Sequence, residues 1–300
     1  MEEEKKKVAE PEEKQDEASS EDEEYAGIEG ASTKKRRMMP KKADYRMRAH
    51  VNPLNATPFP YPLNPDYVNW KLHYPMYFGG TAEENDLLYL NTPEFEIDYP
   101  AVVDDSLNGK KGPCVEMVDV GCGYGGLLMG LATKFPDKLS LGMEIRDKLV
   151  NYVGEKIAVL RTENPGQYGN ISVLRTNAMR HITNYFRKGQ LLKLFFCFAD
   201  PHFKKANHRR RIINTGFLNE YAYLLKPQGR IYSITDIEEL HIWNDTHLAN
   251  HKLFKKLPQE ELDKDPCIEM ISTLTEEGKR VIREGGAMYV TVYERIQGPQ

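Results

Sequence analysis

From residue 115 onward, apolar and polar positions fall into short runs that switch repeatedly between the period of a strand and the period of a helix. Val115, Met117, Val118 and Val120 form an apolar run that carries Asp119 near its end and opens into Gly121, Gly123, Gly125 and Gly126. Leu127, Leu128 and Met129 then begin a helical pattern that extends to about Phe135. The pattern predicts a strand, a tight turn and a helix. Glycines suit such a turn because its backbone takes conformations that a side chain forbids, and because a ligand can then lie directly against it. Amides at the helix start favour a polar or anionic part of that ligand. Gly121, Gly123 and Gly126 match G-x-G-x-x-G, so a dinucleotide and S-adenosylmethionine (SAM) both remain open, as does a bare structural turn.

The alternation continues. LSLGME (139–144) reads as a second strand, 147–163 as a helix, and NISVLRTNAM as a third strand ending near Asn177. A helix through 182–186 precedes LLKLFFCFAD (191–200), a nearly continuous apolar run of the kind a strand buried on both faces shows. A helix over about 211–226 closes at Lys226-Pro227-Gln228-Gly229 and is followed by a fifth strand, RIYSITD (230–236). Five strand–helix alternations predict an α/β fold with a doubly wound, mostly parallel sheet. The end of the chain reads as a helix (237–251), a strand CIEMIS (267–272), a short helix TEEGKRVIRE and a strand AMYVTVYERI. The last two strands lack a crossover helix of full length, which predicts an antiparallel C-terminal hairpin. At the level of fold, seven-stranded SAM-dependent methyltransferases finish in this way.

Upstream, 45–113 is rich in Pro, Asn and aromatic residues and reads as an extension laid over the 114–300 domain, with Trp70, Tyr74, Tyr77 and Phe78 packing it down. Residues 98–113 read as a polar loop into the first strand. Residues 1–44 read as a disordered tail: 1–33 carry thirteen acids and four lysines, too little apolar surface to offset chain entropy. Residues 34–50 then carry eight Lys or Arg against Asp44, so the −9 of 1–33 and the +7 of 34–50 leave only −2 of the total −4 for the remainder. Any polyanion must therefore be gripped by local patches. Lys34-Lys35-Arg36-Arg37 with Lys41-Lys42 reads as a nuclear localisation signal, a nucleic-acid arm or a solvated charge run. With 40% hydrophobic residues a large core is possible. No eighteen-residue apolar run or charged-then-apolar leader is visible, so a soluble intracellular protein without a membrane span is expected. Cys114, Cys122, Cys197 and Cys267 are widely spaced, which reads as reduced thiols and suggests no metal site.

Ligands of open α/β sheets sit outside the carboxyl ends of the strands. Those ends read Asp119 and the glycines, Glu144-Ile145-Arg146, Asn177-Ala178, and Ala199-Asp200-Pro201-His202-Phe203. Glu144 stands where an acid would accept ribose hydroxyls, and equally where it would pair with Arg146. Asn177 suits an adenine edge and is also a good N-cap, while Asp-Pro is a common turn opener. Beyond Asp200 come Lys204, Lys205, His208, Arg209, Arg210 and Arg211, a block suited to a phosphate backbone.

Together DVGCGYGGLL, GMEIR, NAM, FADPHFKKANHRRR, EYAYLLKPQG, ITD and TEEGKR resemble the tRNA (guanine-N7)-methyltransferases. The likeness is to the eukaryotic catalytic subunits that work with a WD-repeat partner, and it runs from about residue 46 to 296. One departure is Ala199, where the family usually has Pro. The resemblance implies the seven-stranded SAM-dependent methyltransferase (Rossmann-like) fold. It implies that SAM contacts Gly121, Glu144, Ile145, Asn177, Ala178 and Cys197, and that Asp200 is the catalytic position. Thr275, Glu276 and Glu277 match a segment that reaches the cofactor or base; they read equally as a helix start with a capping box of Thr273 and Glu276. The implied substrate is the variable-loop guanosine of tRNA (position 46), in a nuclear heterodimer whose WD-repeat subunit adds RNA surface. Two other readings stay open: a SAM-dependent enzyme acting on a protein or small molecule, and a non-catalytic RNA-binding or assembly factor.

Overall fold

The computed structural model of the protein describes residues 37–47, 51–54, 59–81 and 83–298. The acidic segment 1–33 and Lys34–Arg36 of the basic cluster lie outside these residues. Strand β1 (Val115–Val120) leads through the glycine turn into helix α1 (Gly126–Lys134), and β2 (Leu139–Glu144) leads into α2 (Asp147–Glu163). Strand β3 (Ile171–Arg175), α3 (Ala178–Tyr185), β4 (Leu191–Cys197), α4 (Thr215–Leu224) and β5 (Leu225–Thr235) continue the alternation. The sheet has seven strands in the order β3-β2-β1-β4-β5-β7-β6, where β6 is Phe254–Lys256 and β7 is Tyr289–Arg295. Strands β1 to β5 are mutually parallel, and β7 runs antiparallel to both β5 and β6. The doubly wound sheet with an antiparallel C-terminal hairpin is therefore present. Its direction of winding reverses between β1 and β4, which puts the crevice above the glycine turn.

The continuous apolar run of β4 is explained by burial on both faces. Phe196 joins the cluster of Val118, Val120, Leu141 and Leu194 with α3 and α4, while Phe195 joins Met117, Leu127, Leu131 and Tyr232 on the other side. The 267–272 segment is a helix rather than a strand: α7 spans Pro266–Thr273. Asp265 caps it by accepting a hydrogen bond from the Cys267 amide (3.0 Å), and Pro266 occupies the first turn, where its missing N–H costs nothing. Cys267, Met270 and Ile271 then fall on one buried helical face. The hairpin partner of β7 is instead the three-residue β6, and α5 (Glu238–Ala249), α6 (Gln259–Leu262), α7 and α8 (Glu276–Glu284) fill the stretch around it. Among the described residues no helix is long and apolar enough to cross a membrane.

The N-terminal extension is part of the core. Trp70 starts one short 3-10 turn, Tyr74 precedes the next, and both are fully buried; the Trp70 ring stacks on Phe186 at 6.0 Å, and the Tyr74 hydroxyl donates to the Ser140 carbonyl (2.9 Å). Residues 98–113 are tied in by the Trp70 amide on the Leu107 carbonyl and by Arg187 on the Asn108 carbonyl. The packed extension begins before residue 45, since the turn Lys42–Tyr45 lies against α2, with the Tyr45 hydroxyl donating to Glu155 (2.7 Å). Trp70→Ala should therefore lower stability by about 3–5 kcal/mol, the cost of emptying a buried aromatic site. Urea denaturation read by circular dichroism checks this; an unchanged midpoint would mean that the extension contributes nothing to the core.

Candidate active site

The turn after β1 can be made only from glycine at its critical points. Gly121 and Gly123 have φ of 76° and 54°, in the left-handed region, and a side chain on either would project into open space rather than meet protein. Gly126 faces the opposite constraint: a Cβ there would lie 2.0 Å from the Leu274 carbonyl oxygen, so α1 starts in contact with the chain that leads into α8. The Gly121 and Cys122 amides donate to the Met143 carbonyl, which fixes the turn to the end of β2. Above it lies a cavity of about 570 Å³, of a size that holds a small-molecule ligand.

Two buried carboxylates flank this turn. Asp119 is 2% exposed, lines the cavity, and its Oδ1 has no hydrogen-bond partner among the described residues. Burial, and then the nearby charge of Glu144, push its carboxyl up to about 7. Glu144 is well satisfied. Its Oε1 accepts from the Ile145 and Arg146 amides (2.8 and 3.0 Å) and from Arg146 Nε (3.0 Å); its Oε2 accepts from Arg146 Nη2 (3.0 Å) and the Gly123 amide (3.2 Å). Glu144 therefore both pairs with Arg146 and joins the end of β2 to the glycine turn. Ile145 lines the cavity beside it.

Asn177 and Ala178 are placed differently from the sequence expectation. Both are buried, and neither lines the cavity. Asn177 caps α3 by accepting from the Met179 amide (3.1 Å), while its Nδ2 donates to the Pro53 carbonyl (2.6 Å). The extension lies over this strand end, and Val51, Pro53 and Met179 form the cavity wall there.

The end of β4 makes the third side. Cys197, Phe198, Ala199, Asp200, Pro201, His202 and Phe203 all line the cavity. Phe198 and His202 have φ of 53° and 45°, an unfavourable conformation for side chains of this size. The turn is held by the Phe198 amide on the Ile234 carbonyl (2.8 Å) and by the His202 amide on Asp200 Oδ1 (3.1 Å). Non-glycine residues held in sparsely populated conformations point to a site where geometry matters. Thr275, Glu276 and Glu277 close the cavity at the start of α8. Thr275 is the N-cap, its hydroxyl accepting from the Gly278 amide (3.1 Å), whereas Thr273 donates back to Glu269 inside α7; the capping box of Thr273 and Glu276 does not form. Glu277 pairs with Arg280 (2.7 Å), which also reaches Asp236 at the end of β5 (3.1 Å). Glu276 pairs with Lys42 of the N-terminal turn.

The basic block divides by direction. Lys204, Lys205 and Arg209 are exposed, together with Phe203, and Arg210 lines the cavity. Arg211 is turned inward and only 1% exposed, so it cannot meet a phosphate. The 3-10 turn Lys205–Arg210 brings neighbouring side chains out on different sides, which a run of like charges conceals. Asp119, Arg146, Asp236 and Arg280 also line the cavity, although the family resemblance gives none of them a cofactor contact. The strand-end rule points to Asp119 and Asp236, because each closes a parallel strand.

A strand order with its crevice at the β1/β4 switch, a glycine turn and an unpartnered buried carboxylate together fit a cofactor with cationic groups. The family model described as "Putative methyltransferase" matches residues 114–291. A tRNA (guanine-N(7)-)-methyltransferase of Oryza sativa subsp. indica is 47% identical over 273 residues, covering 90% of this chain and 96% of that one. The chain belongs to the tRNA (guanine-N7)-methyltransferase family. Relatives of the same name in Mus musculus (45% identical, 87% of this chain and 92% of that one) and Homo sapiens (44%, 87% and 90%) agree. The solved structure "Crystal Structure of 16S rRNA Methyltranferase KamB" is 15% identical, covers 62% of this chain and 89% of that chain, and has a TM-score of 0.43, a likeness too loose to add to the strand order itself. The methyl donor of a methyltransferase of this family is SAM. Asp119 and the glycine turn fit it: Asp119 Oδ1, which has no hydrogen-bond partner among the described residues, can accept from a cationic group, and the turn leaves open space above Gly121 and Gly123.

The raised carboxyl of Asp119 has a consequence for stability. A folded-state value near 7 against an ordinary 3.8 means that the folded chain holds an extra proton between those values. Its contribution is thus fully present below about pH 4 and is lost as pH rises towards 7. Asp119→Asn, which cannot ionise, should therefore gain stability over the parent progressively between about pH 4 and 7, with a constant difference above that. Denaturant midpoints of both proteins across this range check it. Saturating SAM should narrow the gap at pH 7.5 by stabilising the parent more.

Proposed function

We propose that this chain is the catalytic subunit that transfers a methyl group from SAM to N7 of the variable-loop guanosine, position 46, of tRNA, in a nuclear heterodimer with a WD-repeat subunit. The observation that carries the reading is Asp200, held on a strained turn in the same cavity as the glycine turn and beside a basic surface. The nuclear location rests on the basic cluster Lys34–Arg37 with Lys41 and Lys42, and the WD-repeat partner rests on resemblance to the eukaryotic catalytic subunits.

Bound SAM supplies an activated methyl group on a sulfonium. Guanine N7 already presents an in-plane lone pair, so the chain need not remove a proton from it. What the residues must supply is placement and field, and well-oriented reactants can recover about 7–11 kcal/mol of a barrier. Asp119 stands ready to bind a cationic group of the cofactor, while Glu144 reaches ribose hydroxyls only where Arg146 swings aside, because its oxygens are otherwise filled. Asp200 accepts hydrogen bonds from the guanine edge and favours the positive charge that develops on the purine. Phe203, exposed at the cavity mouth, offers a ring for an unstacked base. Lys204, Lys205 and Arg209 face outward, where they can replace counterions along the RNA backbone, and Arg210 extends that charge into the cavity.

Asp200→Asn should leave SAM affinity nearly unchanged by calorimetry while lowering the rate of 7-methylguanosine formation by orders of magnitude; equal turnover in the variant would refute the role. Lys204→Ala with Arg209→Ala should weaken tRNA binding and flatten its salt dependence by roughly 0.7–0.9 in log–log slope for each phosphate that is no longer neutralised. Filter binding between 50 and 200 mM salt, roughly the range over which such ion pairs change affinity strongly, reads this out.

A further inference from the structure

Arg211 ends the basic block, yet its guanidinium serves a different purpose from its neighbours. Nε donates to the Pro201 carbonyl (2.8 Å), one residue past Asp200, and Nη2 donates to Glu239 Oε1 on α5 (2.6 Å). The group also lies over the Trp243 ring, 4.7 Å from its centroid. That ring is itself fixed by its Nε1 donating to the Ile213 carbonyl (2.7 Å). The Arg211 carbonyl in turn accepts from Asn214, the cap of α4. One planar fork thus ties the turn carrying Asp200 to a helix on the far side of the loop. The turn needs such a tie, because Phe198 and His202 on either side of Asp200 both sit in the left-handed region and relax if released.

We propose that Arg211 is a positioning residue for methyl transfer: by joining the Pro201 carbonyl to Glu239 and Trp243 it holds the Asp200 carboxylate where the target guanine is presented, and it makes no contact with RNA. This rests on the catalytic reading of Asp200. A lysine at the same position keeps the charge and much of the stem, but a single ammonium cannot reproduce the flat fork that reaches two acceptors while stacking on an indole.

The test uses the full chain, with its partner subunit where activity requires it, and total tRNA as substrate. Arg211→Lys should lower kcat by at least about tenfold while KM for tRNA and Kd for SAM stay within about twofold, since misplacement of a reacting group by ~1 Å costs on the order of a hundredfold. Asp200→Asn combined with Arg211→Lys should be no slower than Asp200→Asn alone, because a residue acting through Asp200 has nothing left to position. A parent-like kcat in Arg211→Lys would overturn the proposal. So would a raised KM for tRNA at unchanged kcat, which marks an RNA contact, or full additivity in the double variant. Parent turnover in Asp200→Asn would instead fault the Asp200 reading itself. Should the lysine variant fail to fold, Glu239→Ala removes only the exposed anchor: kcat should fall with KM unchanged, and an unchanged kcat overturns the proposal.

Discussion

Two carboxylates, Asp119 and Glu144, lie buried at the carboxyl ends of two adjacent central strands, and the one guanidinium beside them, that of Arg146, pairs with Glu144. Much of the cavity follows from this arrangement. Glu144 spends its oxygens on Arg146, on the Ile145 amide and on the Gly123 amide, while Asp119 Oδ1 has no hydrogen-bond partner among the described residues and burial raises its carboxyl to about 7. A buried polar atom left unpaired is costly. A cationic group brought against Asp119 relieves that cost, so this carboxylate gives the cavity a preference for cations. The left-handed glycines belong to the same constraint, since they let the backbone turn back towards Glu144 and leave the space above free.

The fourth strand contributes a second kind of tension. Its end must present a carboxylate into the cavity and then, within a few residues, send basic side chains outward to meet a polyanion. The chain does this with two residues in an unfavourable conformation and braces the turn from behind. Acid inside and base outside are thereby separated by a single turn: Asp200 lines the cavity, while Lys204, Lys205 and Arg209 are exposed. Glu276 and Glu277, on the opposite wall, are likewise bridged to Lys42 and Arg280.

Much of the scaffold is legible directly because burial leaves a plain mark on sequence. The unbroken apolar run of β4 and the strand–turn–helix at Gly121 admit few alternatives, and α2 occupies the predicted span 147–163. The segment 267–272 resembles a strand only when its apolar residues are weighed alone. The Asp265-Pro266 start and the spacing of Cys267, Met270 and Ile271 are the helical signals, and they prevail because that face packs against α1. Asn177 illustrates a limit of another kind: its fitness as a cap is visible, but the chain that covers it, at Pro53, comes from 124 residues away in sequence. Arg211 cannot be distinguished from Arg209 and Arg210 by sequence, since which of several adjacent cations turns inward depends on the phase of a short 3-10 turn and on an indole thirty-two positions further along the chain. The site is legible as a set of strand ends, whereas the pairing among its charges requires the third dimension.

Methyl transfer by this chain is directed at a single ring nitrogen of guanine, N7. A tRNA assembled with 7-deazaguanosine at variable-loop position 46 replaces that nitrogen by C–H and leaves the rest of the RNA surface intact. That RNA should bind like the unmodified tRNA and accept no methyl from labelled SAM, while the unmodified tRNA yields 7-methylguanosine at that position. Equal label in both RNAs would mean that N7 of that guanine is not the atom methylated.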